Sequence, residues 1–351
     1  MKLFNREKKQ EETKQQEVHT ELENKEEIMA TAQAEEEQEQ APDPEEKLKK
    51  IAMLRVIYRE LLEELSIAET IHVIKYLEVF QKASPLENYE DNHTVVAQTI
   101  FEKIKEAPVL YVMFDDKTEL PFVATGFAEL YSKKEYAEQA VSHYAEQFRS
   151  LSIREVTKED TKWLNGVNLF AYFYYLGMDE MLIDNGQQAF AFKREEILET
   201  PDWSNLDAEN KPVLNGDLRF WMNVYLEEAR WEVSYEGHEE RVNQLEEEMV
   251  KRLLPARFLV PVVTDEETGQ VTKVATLSNT NKEAFLPMFT DWFEFDKVYD
   301  QEVWNAMVIS FQEGIQYGLR CTGLAINPRG ENIMMSKEIM KKRFPELISV
   351  E

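Results

Sequence analysis

Three segments near the end of this 351-residue chain decide its fold: ARFLVPVVTDEETGQ (256–270), FLPMFTDWFEF (285–295) and GLAINPRGENIMMS (323–336). The first is an apolar run that ends at a Thr-Gly turn, and the last places Asn-Pro-Arg-Gly between two apolar runs. This pattern predicts strands at 258–263, 271–276, 303–309, 324–326 and 333–335. Thr290 is the expected N-cap of a helix between these strands, and Ser310 with Glu313 has the spacing of a capping box.

A looser copy of the same plan lies upstream, from APVLYVMFDDKTELPF (107–122) to MLIDNGQQAFAFKREEI (181–197). Aligning the two hairpins pairs Asp184 with Asn327 and Gly186 with Gly330. Both glycines are therefore predicted to be structural turn residues with positive φ, which side-chained residues avoid. In the upstream copy, Thr125 is the expected N-cap of a helix over 126–148.

Helical periodicity fills the rest of the chain. Apolar residues recur every three or four positions in segments 45–65, 67–82, 94–106, 217–235 and 239–254. The chain is thus predicted to be α+β, with two related domains that are each a small mixed β-sheet with packed helices. We expect a disordered charged tail at 1–44, helices and a first domain at 45–200, and helices and a second domain at 213–345.

The charge balance limits the partners. The chain has 40 Lys and Arg against 68 Asp and Glu, which gives a net charge of −28. Such a surface repels nucleic acid and anionic membranes and favours a basic protein partner. No apolar run approaches the roughly 20 residues that span a bilayer, and the single cysteine fits a reducing compartment, so we expect a cytoplasmic protein.

No motif in the sequence carries recognisable chemistry. There is no phosphate-binding glycine loop, no nucleophile elbow and no His-Glu-x-x-His, and the five histidines lack ligand spacing. We therefore predict no cofactor, no metal and no catalytic residue.

Two features are candidates for binding. On a helix that follows Thr290, the aromatic residues Phe289, Trp292 and Phe293 belong to a face of roughly 160°, wider than a helix packed on a sheet requires. This face is either a partner surface or the sign of a helix buried between layers. In the hairpin, Arg329 and Asn332 are predicted recognition residues.

The run LVPVV (259–263), the segment LPMFTDWFEF (286–295) and the hairpin GLAINPRGEN (323–332) resemble the SseB protein N-terminal domain, a family named for enhanced serine sensitivity in bacteria. The upstream copy resembles it less closely. The resemblance implies the fold and a bacterial cytosolic setting, and it brings no catalytic residue. We expect a non-catalytic binding or adaptor protein. The alternatives are an enzyme built from scattered residues and a regulatory scaffold linked to serine metabolism; a pocket carboxylate with a strongly raised pKa would favour the enzyme.

Overall fold

The computed structural model describes residues 43–158, 166–207, 210–265 and 267–348, and it has the α+β class that the sequence predicts. The described residues form two compact units. The smaller unit contains residues 43–61 and 72–96, and the larger contains 62–71 and 97–348. The predicted tail at 1–44 lies almost entirely outside the described residues.

Four helices come first in the chain: α1 (Pro44–Ala52), α2 (Glu60–Glu63), α3 (Ile67–Ala83) and α4 (Tyr89–Glu106). The predicted continuous helix over 45–65 is wrong, because the chain leaves the helix after Ala52. Within the smaller unit, the buried Asn92 side chain accepts from the Ile57 amide at 2.8 Å and donates to the Arg55 carbonyl at 3.2 Å. These backbone groups therefore bond to a side chain instead of continuing a helix.

We call residues 107–197 the first half. Its strands are β1 (Val109–Asp115), β2 (Val123–Ala124), β3 (Phe127–Tyr131), β4 (Leu151–Thr157), β5 (Glu180–Ile183) and β6 (Phe190–Lys193). They form one sheet in the order β4-β1-β3-β5-β6, with β2 paired to β3. Only β3 and β5 are parallel. Helices α5 (Lys134–Glu146) and α6 (Leu169–Tyr175) and a 3₁₀ turn (Arg194–Glu196) complete it.

The predicted helix over 126–148 begins too early. Residues Phe127–Tyr131 form β3, the central strand of the sheet, and the helix starts only at Lys134. Thr125 is not an N-cap: Thr125 and Gly126 both have positive φ, 52° and 95°, and close a two-residue hairpin between β2 and β3. The paired strands therefore outweigh the helical spacing of Phe127 and its neighbours.

We call residues 256–343 the second half. Its strands are β7 (Arg257–Thr264), β8 (Val271–Val274), β9 (Leu277–Ser278), β10 (Ala284–Met288), β11 (Asn305–Ser310), β12 (Gly323–Ile326) and β13 (Ile333–Ser336). They pair as β11-β7-β8 and as β13-β12-β10-β9. Leu259 and Phe289 exchange two backbone hydrogen bonds of 2.9 Å, which bring β7 beside the end of β10. The resulting order, β11-β7-β10-β12-β13, parallels that of the first half.

Two helices precede the second half, α7 (Gly216–Ala229) and α8 (His238–Leu253). The second half contains three more, α9 (Trp292–Asp296), α10 (Phe311–Gly318) and α11 (Lys337–Arg343), and a 3₁₀ turn follows it (Pro345–Leu347). Its main core joins Leu218 and Met222 of α7, Met249 of α8, and Phe258 and Ile315. The opposite face of β7 packs on a second cluster built around Phe289, Phe295 and Tyr299.

The Ser310–Glu313 capping box is confirmed at the start of α10, and both predicted hairpins are present. The division into domains at 45–200 and 213–345 stays a prediction. Within the described residues, no helix combines the length and the apolar character that crossing a bilayer requires.

Candidate functional site

The hairpin between β12 and β13 is joined to the start of α9 by one buried asparagine. Asn327 accepts from the Thr290 amide at 3.0 Å and donates from Nδ2 to Thr290 Oγ1 at 2.8 Å and to Glu331 at 2.7 Å. Thr290 in turn donates to Asp291 at 2.8 Å. Asp291, and not the predicted Thr290, is the N-cap of α9, and it accepts from the Glu294 amide at 2.9 Å. The two segments therefore form one polar network.

Arg219 of α7 lies at the centre of this network. Its guanidinium donates to Glu331 at 2.7 Å and to Asp291 at 3.3 Å, and it also pairs with Glu294. A fourth contact, of 3.4 Å, reaches the Tyr175 carbonyl at the end of α6 in the first half. Arg219 thus connects three carboxylates of the second half to the backbone of the first.

The whole group is buried. Arg219, Glu294 and Glu331 each expose 0% of their surface, and Asp291 exposes 1%. A charge removed from water in this way is stable only when it is paired and hydrogen-bonded. We call Arg219, Asp291, Glu294, Asn327 and Glu331 the arginine cluster.

The pKa values of Glu294 and Glu331 are shifted in opposite directions. Burial would lower the pKa of Arg219, but the three carboxylates outweigh it and hold that pKa well above its ordinary value, so the guanidinium stays charged. Burial would also raise the pKa of Glu331, yet the charge of Arg219 and hydrogen bonds from Arg219 and Asn327 lower it overall. For Glu294, burial prevails over the charge of Arg219, and its pKa is raised.

Gly330 packs against Glu294. A Cβ at position 330 would lie 2.6 Å from Glu294 Oε2, an oxygen that has no hydrogen-bond partner among the described residues. Gly330 does lie in the turn, but its predicted positive φ is wrong: Asn327 (φ 46°) and Asn332 (φ 50°) take the left-handed positions. Arg219 and Lys297 hold the Glu294 carboxylate in place, so glycine at 330 is favoured by the space beside that carboxylate and not by backbone conformation.

The first half has an equivalent hairpin turn at Asp184. Asp184 has a φ of 56°, and it accepts from the Ser132 amide at 2.7 Å, as Asn327 accepts from Thr290. Gly186 has the predicted positive φ, 85°, and a Cβ at that position would meet no described atom within 4 Å. Asp184 and Asn327 are thus equivalent in geometry, whereas Gly186 and Gly330 are not.

A row of polar residues along α7 extends this contact. Arg219, Asn223 and Glu227 are spaced four apart on one face, and all three are buried. Asn223 donates to the Pro121 carbonyl at 2.8 Å, and Glu227 accepts from the Val123 amide at 3.0 Å, so both contact the first half. Burial raises the pKa of Glu227 well above its ordinary value. Sequence reasoning missed this row, although its four-residue spacing was visible.

The predicted binding residues divide into two groups. Phe289 and Phe293 are buried, and Trp292 is half-buried. Phe293 packs against two first-half rings, with centroids 5.0 Å from Tyr175 and 5.6 Å from Tyr172. The binding role of these three aromatic residues stays a prediction.

Arg329 and Asn332 are exposed at the end of the hairpin. Within the described part of the chain, neither side chain forms a hydrogen bond or an ion pair. We call residues 328–332 the hairpin tip. Its backbone is fixed from inside, because Gly330 and Asn332 both donate to the Asn327 carbonyl, at 2.8 and 2.9 Å. The tip therefore combines a rigid backbone with two unengaged polar side chains.

Across residues 43–158, 166–207, 210–265 and 267–348, no group of three or more histidine, cysteine or acidic side chains has an arrangement that could hold a metal ion. The acidic members of the arginine cluster face a guanidinium instead.

Comparison with known proteins places the hairpin and α9 in a described family. The family model of the SseB protein N-terminal domain matches residues 236–338. No curated protein and no solved structure matches the chain. The matched region includes every acidic member of the arginine cluster, while Arg219 itself lies upstream of it. Residues 236–338 of this chain are therefore an SseB protein N-terminal domain.

Proposed function

We propose that this protein is a non-catalytic, cytoplasmic protein-binding adaptor, and that its SseB domain presents the hairpin tip to a protein partner. One observation carries the proposal. The side chains of Asp291, Glu294, Asn327 and Glu331 are buried around Arg219. Those of Arg329 and Asn332, in the same hairpin, are exposed. The buried residues fix the shape of the hairpin, and the exposed ones remain for recognition.

The charge of the chain favours a partner with a basic surface, because a net charge of −28 attracts cations over a long range. The hairpin tip itself carries a positive charge, because Arg329 is exposed there. Arg329 suits a carboxylate or a backbone carbonyl within that partner, since its guanidinium donates in a fixed plane.

A second proposal concerns the first half, which we take to be a divergent SseB-like copy. The shared strand order and the equivalent corners at Asp184 and Asn327 support it. Because α7 bonds to both halves, the adaptor would present its surfaces in a fixed arrangement.

The enzyme alternative has one observation in its favour, the raised pKa values of Glu227 and Glu294. Both side chains are covered, however, with 5% and 0% exposure, and Glu227 is bonded to the Val123 amide. A catalytic acid or base must come within hydrogen-bond reach of a substrate. For this reason we favour binding over catalysis. No contact among the described residues favours a role in serine metabolism.

Quantitative co-purification tests the proposal. Tagged wild-type protein is compared with an Arg329→Ala/Asn332→Gly variant, in which glycine accepts the left-handed backbone at 332. Arg320→Ala, at another exposed arginine of the second half, is the matched control. We expect the tip variant to lose about tenfold or more of a specific co-purifying protein, as at an interface hot spot, with an unchanged thermal midpoint. Equal recovery with all three proteins would reject the tip as the binding site.

A further inference from the structure

The end of α5 places a phenylalanine in a strained and exposed position. Phe148 has a φ of 61°, and 76% of its surface is exposed. The amide of the next residue, Arg149, closes the helix by donating to the Tyr144 carbonyl at 3.0 Å. Phe148 thus occupies the left-handed position after the helix, where glycine is usual. A phenyl ring there strains the backbone and buries little area. The side chain thus contributes little to folding, which points to a use outside the fold.

The backbone of Phe148 is bonded to a group of three more rings. The indole of Trp231 donates to the Phe148 carbonyl at 3.2 Å. The Tyr235 ring lies 5.7 Å from Trp231 and 5.0 Å from His238 between centroids, and Tyr235 is 40% exposed. We call Phe148, Trp231, Tyr235 and His238 the aromatic surface. Its members come from two segments that are distant in sequence, at the end of α5 and between α7 and α8.

Polar contacts beneath the aromatic surface fix its shape. The Arg149 guanidinium lies 3.8 Å from the centre of the Trp231 ring and donates to Glu228 at 3.2 Å. The Tyr235 hydroxyl donates to the other oxygen of Glu228 at 2.9 Å. These bonds hold two of the rings before any partner arrives, which reduces the entropy lost on binding.

The chain segment that carries three of the rings is rich in glutamate. Glu232, adjacent to Trp231, has a side chain that is 78% exposed, and three further exposed glutamates follow it in the chain, Glu236, Glu239 and Glu240. Two of the nearby cations are already paired, because Lys117 bonds to Glu232 at 2.6 Å and Arg149 bonds to Glu228. Arg241 acts on Tyr235 through its charge, and Arg230, adjacent to Trp231, donates to the Lys117 and Glu331 carbonyls. The exposed Glu236, Glu239 and Glu240 outnumber these two cations. The unbalanced charge at this surface is therefore negative.

We propose that the aromatic surface binds a basic segment of a protein partner, with arginine or lysine side chains over the exposed rings of Phe148 and Tyr235 and near the glutamates. Aromatic faces attract cations, and exposed carboxylates strengthen that attraction. Arginine is favoured because its planar guanidinium stacks on rings. The inference rests on the proposed binding function, to which it adds a second surface and a partner chemistry, and it does not depend on the hairpin tip.

Calorimetric titration with a defined peptide tests the proposal. The probe is an acetylated and amidated Arg-Leu-Arg-Leu-Arg peptide, and its charge-reversed form is Glu-Leu-Glu-Leu-Glu. The key variant is Phe148→Gly, which removes the ring and relieves the left-handed backbone strain. Its thermal midpoint should equal or exceed that of the wild type, so that misfolding cannot explain lost binding. Val303→Ala, at another exposed apolar residue, is the control.

We expect the basic peptide to bind the wild type and Val303→Ala equally, to bind Phe148→Gly about fivefold or more weakly, and to weaken as salt rises. The acidic peptide should not bind. Equal binding by Phe148→Gly would mean that only diffuse charge attracts the peptide and would overturn the proposal, as would no binding by the wild type. The Arg329→Ala/Asn332→Gly variant should retain the peptide, so that failure of the hairpin tip and failure of the aromatic surface give different results.

Discussion

Replacing Arg219 by methionine should destabilise the fold more than any surface arginine substitution. The change leaves Asp291, Glu294 and Glu331 buried, at 0–1% exposure, without the cation that all three contact. Among the described contacts, only Lys297, which bonds to Glu294 at 2.6 Å, remains as a compensating charge. Removing one partner of a buried ion pair costs about 3–5 kcal/mol. Because a whole domain is stable by only about 5–15 kcal/mol, the loss is a large fraction of the total.

The cost should depend on pH in a defined direction. In the wild type, Arg219 lowers the pKa of Glu331, and the stability gained in this way is lost as pH falls through the folded-state value. Without Arg219, burial outweighs the remaining contacts of Glu294 with Lys297 and of Glu331 with Asn327, and it raises the folded-state pKa values of these two glutamates above those of the unfolded chain. The folded variant then binds protons more readily, so that its stability increases as pH falls through that window. The difference in stability between wild type and variant should therefore narrow as pH falls from neutral toward the ordinary glutamate pKa of 4.5.

Thermal unfolding followed by circular dichroism at several pH values is the assay. We expect a fall of about 6–20 °C at neutral pH, from about 2–4 °C per kcal/mol for a unit of this size. Arg252→Met is the matched control: this arginine pairs with Asp217 and Glu248, but its side chain is 26% exposed, so the expected loss is about 1 kcal/mol or less. If Arg219→Met melts no earlier than Arg252→Met, or if its deficit does not shrink in acid, the arginine cluster does not stabilise the fold in the way argued.

Individual contacts lead to three further predictions. Gly330→Ala should cost about 2–3 kcal/mol, because its Cβ would meet Glu294, whereas Gly186→Ala should cost about 1 kcal/mol through its backbone alone; equal thermal midpoints would contradict the difference. Burial raises the pKa of Glu227, so the wild type should lose stability as pH rises from the ordinary carboxyl value of 4.5 through the raised one, and Glu227→Gln should remove this loss; a parallel pH profile for the variant would reject the assignment. Limited proteolysis should cut first within 200–212, whose described residues are all exposed and lack helix or strand, and a first cut inside the second half would argue against the predicted domain division.

Local signals predicted much of the fold. The Ser310–Glu313 box and the hairpin at 323–336 depend on residues within a few positions of one another, and both are confirmed. The helix expected after Thr125 failed because β3 obtains its partners from β1 and β5, which a spacing rule does not include. Helical and buried-strand segments of this length share an apolar pattern, and tertiary pairing decides between them.

The arginine cluster could not be predicted in the same way. Arg219 lies 112 positions from Glu331 and 75 from Glu294, so no local pattern connects them. The four-residue spacing of Arg219, Asn223 and Glu227 was the one available sign, and it is also typical of an exposed helix face. Gly330 was recognised as a turn residue, but the reason for glycine there depends on where the side chain of Glu294 lies.

Site-specific photo-crosslinking tests the central claim most directly, because it reports which surface a partner touches. A photoreactive amino acid replaces Met334, which is 41% exposed two residues beyond the hairpin tip, or Val303, which is 61% exposed elsewhere on the second half. We predict a discrete protein adduct from position 334 that disappears when Arg329→Ala is added, and no such adduct from position 303. An adduct from position 303 alone, or one from 334 that persists without Arg329, would contradict the account of the SseB domain as a scaffold for the hairpin tip.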